Sequence, residues 1–146
     1  MNGMVEAHNA ARDDVMPAAK TPIPHLTWDS KIAEVAQAYA EKCVFQHSMN
    51  PLYGENLYVS EGLPTKPKDV VDAWVSEVKD YDYATATCNA GAECGHYTQV
   101  VWADSLRVGC GEVDCTENSP FGDGQTWQNW VCNYDPPGNY IGEQPY

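Results

Sequence analysis

The amino-acid sequence predicts an α+β fold, a three-layer α-β-α sandwich in which a small antiparallel sheet lies between helices and disulfides staple the layers. Three observations lead there. Apolar residues recur at helical spacing in three separate segments before residue 80. Two segments of the second half alternate with the period of a strand. Six cysteines, an even number, accompany 11 glycines and 10 prolines in 146 residues, which is the composition of a domain cross-linked in an oxidising compartment.

Met4, His8, Ala11 and Val15 share one helical face and predict a first helix, stopped by Pro17 and the Pro22 to Pro24 stretch. Asp29 is placed to cap a second helix, because its carboxylate can accept from the free amides of the first turn. Ile32, Val35, Ala36, Tyr39, Ala40 and Cys43 then form a single apolar stripe. Asn56 to Ser60 reads as a short strand, and Val71, Trp74, Val75 and Val78 mark a third helix running to about Lys79. Leu106, Val108 and Cys110 alternate on one later strand, while Trp130, Cys132 and Tyr134 alternate on another, so the two can pair. Between them, Cys115 to Thr126 carries Asn118, Pro120 and a Gly122-Asp123-Gly124 turn, the chemistry of an exposed connection. No repeat, low-complexity tract or linker interrupts the chain. Residues 1–146 are expected to form one domain, of a size that buries roughly 68–70% of its unfolded surface.

Charge and hydropathy narrow the partners. Eight basic residues against 21 acidic ones leave a net charge of −13, which repels phosphate backbones, so nucleic acid is not an expected partner. No stretch approaches the roughly 20 apolar residues of a membrane span, so no transmembrane segment is expected. Residues 1–20 lack the basic and apolar regions of a signal peptide, and Met1 is read as a start placed on a mature chain. The expectation is a secreted, extracellular monomer.

Two long phrases, CGHYTQVVW from Cys94 to Trp102 and WVCNYDPPGNYIG from Trp130 to Gly142, resemble the paired signatures of the CAP superfamily. That superfamily takes in cysteine-rich secretory proteins, antigen 5 and plant pathogenesis-related class 1 proteins. AHNAAR from Ala7 to Arg12, LTWD from Leu26 to Asp29 and GEQPY from Gly142 to Tyr146 extend the resemblance over nearly the whole chain. It implies the same α-β-α architecture in a single CAP (SCP) domain. It does not by itself imply an activity.

Six cysteines allow fifteen pairings in principle. Cys88 and Cys94 enclose a short loop just before His96, so a local bridge would pin the approach of that histidine. Cys110 and Cys132 lie on the apolar faces of strands that can pair. Cys43 then joins Cys115, and this set is the one the resemblance implies.

The resemblance, not linear spacing, singles out His47 in FQHS, Glu55 in YGENL, Glu77 in WVSEV and His96 in CGHYT as a cavity tetrad. Zn²⁺ or another divalent metal accepts imidazole nitrogen and carboxylate oxygen, so His47 and His96 are the expected metal ligands, helped by Glu55 or Glu77. No cofactor is expected to be obligatory. The same residues equally suit His to Glu hydrogen bonds in a structural polar network. Metal-dependent or serine hydrolysis is one alternative activity, with Ser48 the nucleophile candidate, and an extracellular interaction protein working through its loops is another. Adjacent residues rarely present side chains to each other, and no GxSxG elbow occurs, so no catalytic residue is assigned. His8 and His25 fall outside the tetrad.

Tyr81 and Tyr83 follow Glu77 on a segment whose aromatic rings can close over a flat apolar ligand. In CAP proteins that bind sterols the corresponding loop is the proposed contact, and others hold a fatty acid between two helices. Tyr81 and Tyr83 are therefore the expected lipid-binding residues. The resemblance implies non-enzymatic binding of a sterol or other lipid in an extracellular defence or host-interaction setting. PPGNYIGEQPY, Pro136 to Tyr146, resembles the terminal segment that some plant members release as a signalling peptide; its prolines and glycine also suit an extended tail laid over the sheet.

Overall fold

A computed structural model of the chain describes residues 1–62 and 64–146. The elements are α1 (Met4–Asp13), β1 (Thr27–Trp28), α2 (Ser30–Ala40), β2 (Gly54–Glu61), α3 (Pro67–Val75) continued by a 3-10 segment (Ser76–Asp80), β3 (Tyr81–Asp82), β4 (Thr87–Cys88), α4 (Gly95–Val100), β5 (Arg107–Cys115) and β6 (Trp127–Asp135). The main sheet runs β1-β5-β6-β2. Its three long strands are antiparallel, and the two-residue β1 adds to the edge of β5 in parallel.

Alternation along the strands divides the interior into two layers. Val108 and Cys110 of β5, with Trp130, Cys132 and Tyr134 of β6, face α1, α3 and α4 in the larger core. Val131 and Leu57 face Ala36 and Ala40 of α2 in the smaller one. Gly109 and Gly111, on the α2 face of β5, let that helix lie directly on the strand. A Cβ at Gly109 would stand 2.2 Å from the amide nitrogen of Ala33, and one at Gly111 would stand 2.4 Å from Cα of Gln37. The bridges are Cys43–Cys115, Cys88–Cys94 and Cys110–Cys132, with Cα separations of 5.7, 5.9 and 4.1 Å.

Several boundaries depart from the periodicity. α1 stops at Asp13, so Val15 reaches the core from the following loop. α2 stops at Ala40; Cys43 lies beyond it with φ 51°, and Val35 is exposed. The apolar stripe overran the helix because a loop residue held by a bridge to Cys115 is apolar for another reason. Asp29 does cap α2, its Oδ1 accepting from the amides of Lys31 and Ile32 at 2.9 and 3.2 Å. The α3 periodicity continues through a tighter 3-10 turn, and Leu106 lies exposed before β5.

Arg12 closes the chain around α1. Its guanidinium is buried without a carboxylate, and all three nitrogens donate to carbonyls: Nε to Pro24 at 2.8 Å, and the terminal nitrogens to Val100, Trp102, Ala103 and Ser105 at 2.9 to 3.4 Å. A planar fork with five donors fits such a ring of acceptors as lysine could not. Burial lowers its pKa to about 10, so the charge persists at neutral pH.

Candidate functional site

His96 occupies the first turn of α4, and its backbone, Nδ1 and one face of its ring are all held. Nδ1–H donates to Glu77 Oε1 at 2.6 Å, while Glu77 Oε2 accepts the backbone amides of His96 and Tyr97, each at 3.0 Å. Glu77 thus caps α4 and fixes the imidazole with one carboxylate. The indole of Trp74 lies parallel to the ring, with an interplanar angle of 6° and centroids 6.2 Å apart. Trp74 is itself buried and donates Nε1–H to the carbonyl of Leu57 at 3.0 Å. Behind the ring, Asn56 Nδ2 donates to the carbonyl of His96 at 3.0 Å and to the Tyr134 hydroxyl at 3.2 Å.

That hydroxyl donates to Nε2 of His8 at 2.7 Å, while Nδ1–H of His8 donates to the carbonyl of Met4 at 2.7 Å. The two bonds define the neutral Nδ1–H tautomer. Complete burial, first, and the nearby Arg12 charge lower the pKa of His8 to about 4, against a smaller opposing effect of its bond to Met4. Burial likewise raises that of Tyr134. A continuous polar chain therefore links α1, through His8, Tyr134 and Asn56, to His96.

The second pair stands in a wetter place. His47, its side chain 60% exposed, donates Nδ1–H to Glu55 Oε1 at 2.9 Å, and the amide of Ser48 donates to the same oxygen at 2.9 Å. Glu55 Oε2 is buried and unpartnered, as is the Oδ1 of Asn133, its opposite number on β6. Ser48 Oγ accepts the amide of Asn50 at 3.3 Å.

The structure therefore brings the tetrad together as two separate pairs, His96 with Glu77 and His47 with Glu55. Among the described residues no three His, Cys, Asp or Glu side chains cluster as a metal site. In each pair the carboxylate takes Nδ1–H, which leaves Nε2 of the ring without a protein partner among the described residues. A carboxylate on one ring nitrogen is the usual support for a histidine that ligates through the other. Each Nε2 could supply one ligand to a divalent ion, with Glu55 and Glu77 orienting the rings, but neither pair by itself provides the roughly four ligands such an ion takes. Such an ion would polarise a bound water.

Tyr81 and Tyr83 are engaged elsewhere. Tyr81 packs edge-on against Tyr97 with centroids 6.0 Å apart. Tyr83 stacks on Tyr146 at 4.6 Å, and its hydroxyl donates to the Tyr146 carbonyl. The terminal segment is a strap over α4. The carbonyl of Pro145 accepts the Ala103 amide at 2.8 Å, Gln99 Oε1 accepts the Gly138 amide at 3.0 Å, and Asn139 bonds both Gly95 and Thr98 at 2.8 and 2.7 Å. A Cβ at Gly138 would stand 2.6 Å from Cγ of Trp102, so only glycine lets the strap lie this close.

A different opening lies between α1 and α3. It has a volume of about 530 Å³, within the usual range for ligand sites of about 300–1,000 Å³. Ala7, Ala10 and Ala11 of α1 line it with Val71 and Val75 of α3, and Glu6, Asp14, Lys68 and Asp72 also border it. The resemblance named a lipid site between two helices in other members, but sequence reasoning assigned no residue to this groove. Its one trace is the run of small side chains at helical spacing on α1, where larger ones would have closed the gap between the helices.

A disulfide-stapled α-β-α sandwich is the fold that the motifs imply, and the His and Glu side chains that pair in it are the four those motifs singled out. The chain belongs to the cysteine-rich secretory protein (CAP) family, whose model matches residues 5–134. It is 43% identical over 146 residues to the pathogenesis-related protein PR-1 type of Sambucus nigra, covering 97% of this chain and 79% of that protein. Among solved structures it is similar to venom allergen-like protein 4 of Schistosoma mansoni, with TM-score 0.75 and 22% identity, covering 99% of this chain and 91% of that one. It also matches NaASP2, solved with Zn²⁺, with TM-score 0.71 and 23% identity, covering 98% and 82% of the two chains. At these identities the two structures speak for the fold alone.

Proposed function

We propose that this CAP domain is a non-enzymatic binding protein that takes a single-chain lipid into the groove between α1 and α3. The observation that carries the reading is the groove itself: about 530 Å³ between two helices, walled by alanine and valine side chains. Burying an alkyl chain there gains about 0.8 kcal/mol per CH₂, so a short stretch of chain suffices for specific binding. The tyrosine segment is a weaker candidate for lipid, because Tyr83 is committed to the C-terminal strap and Tyr81 to Tyr97. Three disulfides support a secreted, extracellular protein. Likeness to a pathogenesis-related protein supports a setting in defence or host interaction. Divalent metal at His47 or His96 is an accessory in this reading.

Calorimetric titration with dodecanol, below its aggregation threshold, tests the groove. Ala10 is exposed on α1, so Ala10→Trp fills the opening without loading the core. The expected result is saturable binding by the wild type, at least a tenfold loss in Ala10→Trp, and little change in a Tyr81→Ala, Tyr83→Ala double variant. The reverse ranking moves the ligand to the tyrosine segment, where a sterol becomes the better candidate.

A further inference from the structure

We propose that the α1–α3 groove selects amphiphiles with a cationic head group, an ammonium seated beside Asp14; this rests on reading the groove as a site for an alkyl chain. The interior of the groove offers no polar side chain, so a head group is held only at its border. Four charged residues stand there: Glu6, Asp14, Lys68 and Asp72. Lys68 donates to Asp72 one turn along α3, so the single cation is already matched. Glu6 and Asp14 remain, separated along α1 by about 12 Å at 1.5 Å per residue. A carboxylate therefore stands toward each end.

The two ends differ. Glu6 lies in the first turn of α1, where the free amides of the helix offset its charge. Asp14 is the C-cap, where unsatisfied carbonyls add to the negative potential. The basic residue of that last turn cannot relieve it, because Arg12 is turned inward and spends its donors on five carbonyls. Neighbouring Asp13 holds His25 at 2.9 Å, whereas Asp14 has no protein partner among the described residues. A fatty-acid carboxylate would meet like charge at either end, and the net charge of −13 acts in the same sense. An ammonium finds Asp14 and the carbonyl end of α1 together.

The experiment compares dodecylamine, dodecanol and dodecanoate by calorimetry at neutral pH and low salt, each below its aggregation threshold, with wild type, Ala10→Trp and Asp14→Asn. Only heat lost in Ala10→Trp counts as groove binding, which removes non-specific attraction of amine to an acidic surface. Exposed charge contacts are each worth a few-fold, so the amine is expected to bind about tenfold tighter than the acid, with the alcohol between them. High salt should shrink that ratio and leave the alcohol unchanged. Asp14→Asn should bring the amine to within about twofold of the alcohol. Dodecanoate binding as tightly as dodecylamine, or a preference untouched by Asp14→Asn, overturns the head-group assignment while dodecanol binding leaves the groove standing. Groove-dependent binding of none of the three removes the alkyl-chain reading and this assignment with it.

Discussion

Acidification should destabilise this protein through one histidine. His8 is fully buried as the neutral Nδ1–H tautomer, and its Nε2 accepts the proton of Tyr134, whose oxygen already accepts from Asn56. A proton on Nε2 reaches the Tyr134 oxygen only if that hydroxyl turns its own proton away from its acceptor, and it places a second cation near the Arg12 guanidinium. The native pKa is accordingly held at about 4, against 6.5 for the free group. Between those values the unfolded chain binds a proton that the native state refuses, so stability rises with pH across the window and falls as pH drops through it. The shift corresponds to about 3 kcal/mol, present in full above 6.5 and lost by the time pH reaches 4. For a chain of this size the loss lowers the melting temperature by about 10 °C. Denaturant unfolding followed by tryptophan fluorescence, with the bridges oxidised, measures it from pH 7 to 4. His8→Gln retains a donor and an acceptor but does not titrate; it should be less stable at pH 7 and show a flatter profile. The other three histidines are common to both proteins and cancel. Parallel profiles for the two proteins would refute the reasoning.

Two further expectations rest on the same geometry. Zn²⁺ affinity, measured by calorimetry, should fall roughly 10–100-fold in Glu77→Gln, because the carboxylate orients His96 without ligating. It should also fall on acidification, since a ligating imidazole must be unprotonated; unchanged binding in a His47→Ala, His96→Ala double variant would place the metal elsewhere. Gly111→Ala should cost about 1–3 kcal/mol by thermal melting, because its Cβ would stand 2.4 Å from the backbone of Gln37 and push α2 off the sheet. An unaltered melt would mean that α2 can slide.

What the sequence made legible was whatever is local. α2 announces itself through its cap at Asp29 and its stripe, and the strand containing Trp130, Cys132 and Tyr134 through alternation alone. α4 could not be read that way. It is six residues long, its N-terminus is capped by a carboxylate 19 positions before His96, and its far side is held by the strap from residues 136–146. The motif around His96 drew attention to that residue without showing the helix it starts. Nor could spacing show that four polar residues divide into two pairs, since that depends on where β2 and the 3-10 segment come to lie. Trp74, predictable as core, is also the plate against which His96 stacks. The groove was hidden for a related reason: its alanines become a wall only once α1 is known to pack on α3.

The strap has a consequence for any use of the last residues as a separate messenger. Cutting after Asp135 would remove the partners of Gln99, Ala103, Gly95 and Thr98 together, and strip Tyr83 of the ring it stacks on. Those contacts surround the helix that presents His96. A molecule that had shed its tail would still hold that histidine through Glu77, Asn56 and the Trp74 indole, but on a helix whose outer face had lost its cover. Release of residues 136–146 would therefore not leave the rest of the domain as it was: the tail is part of the wall around α4.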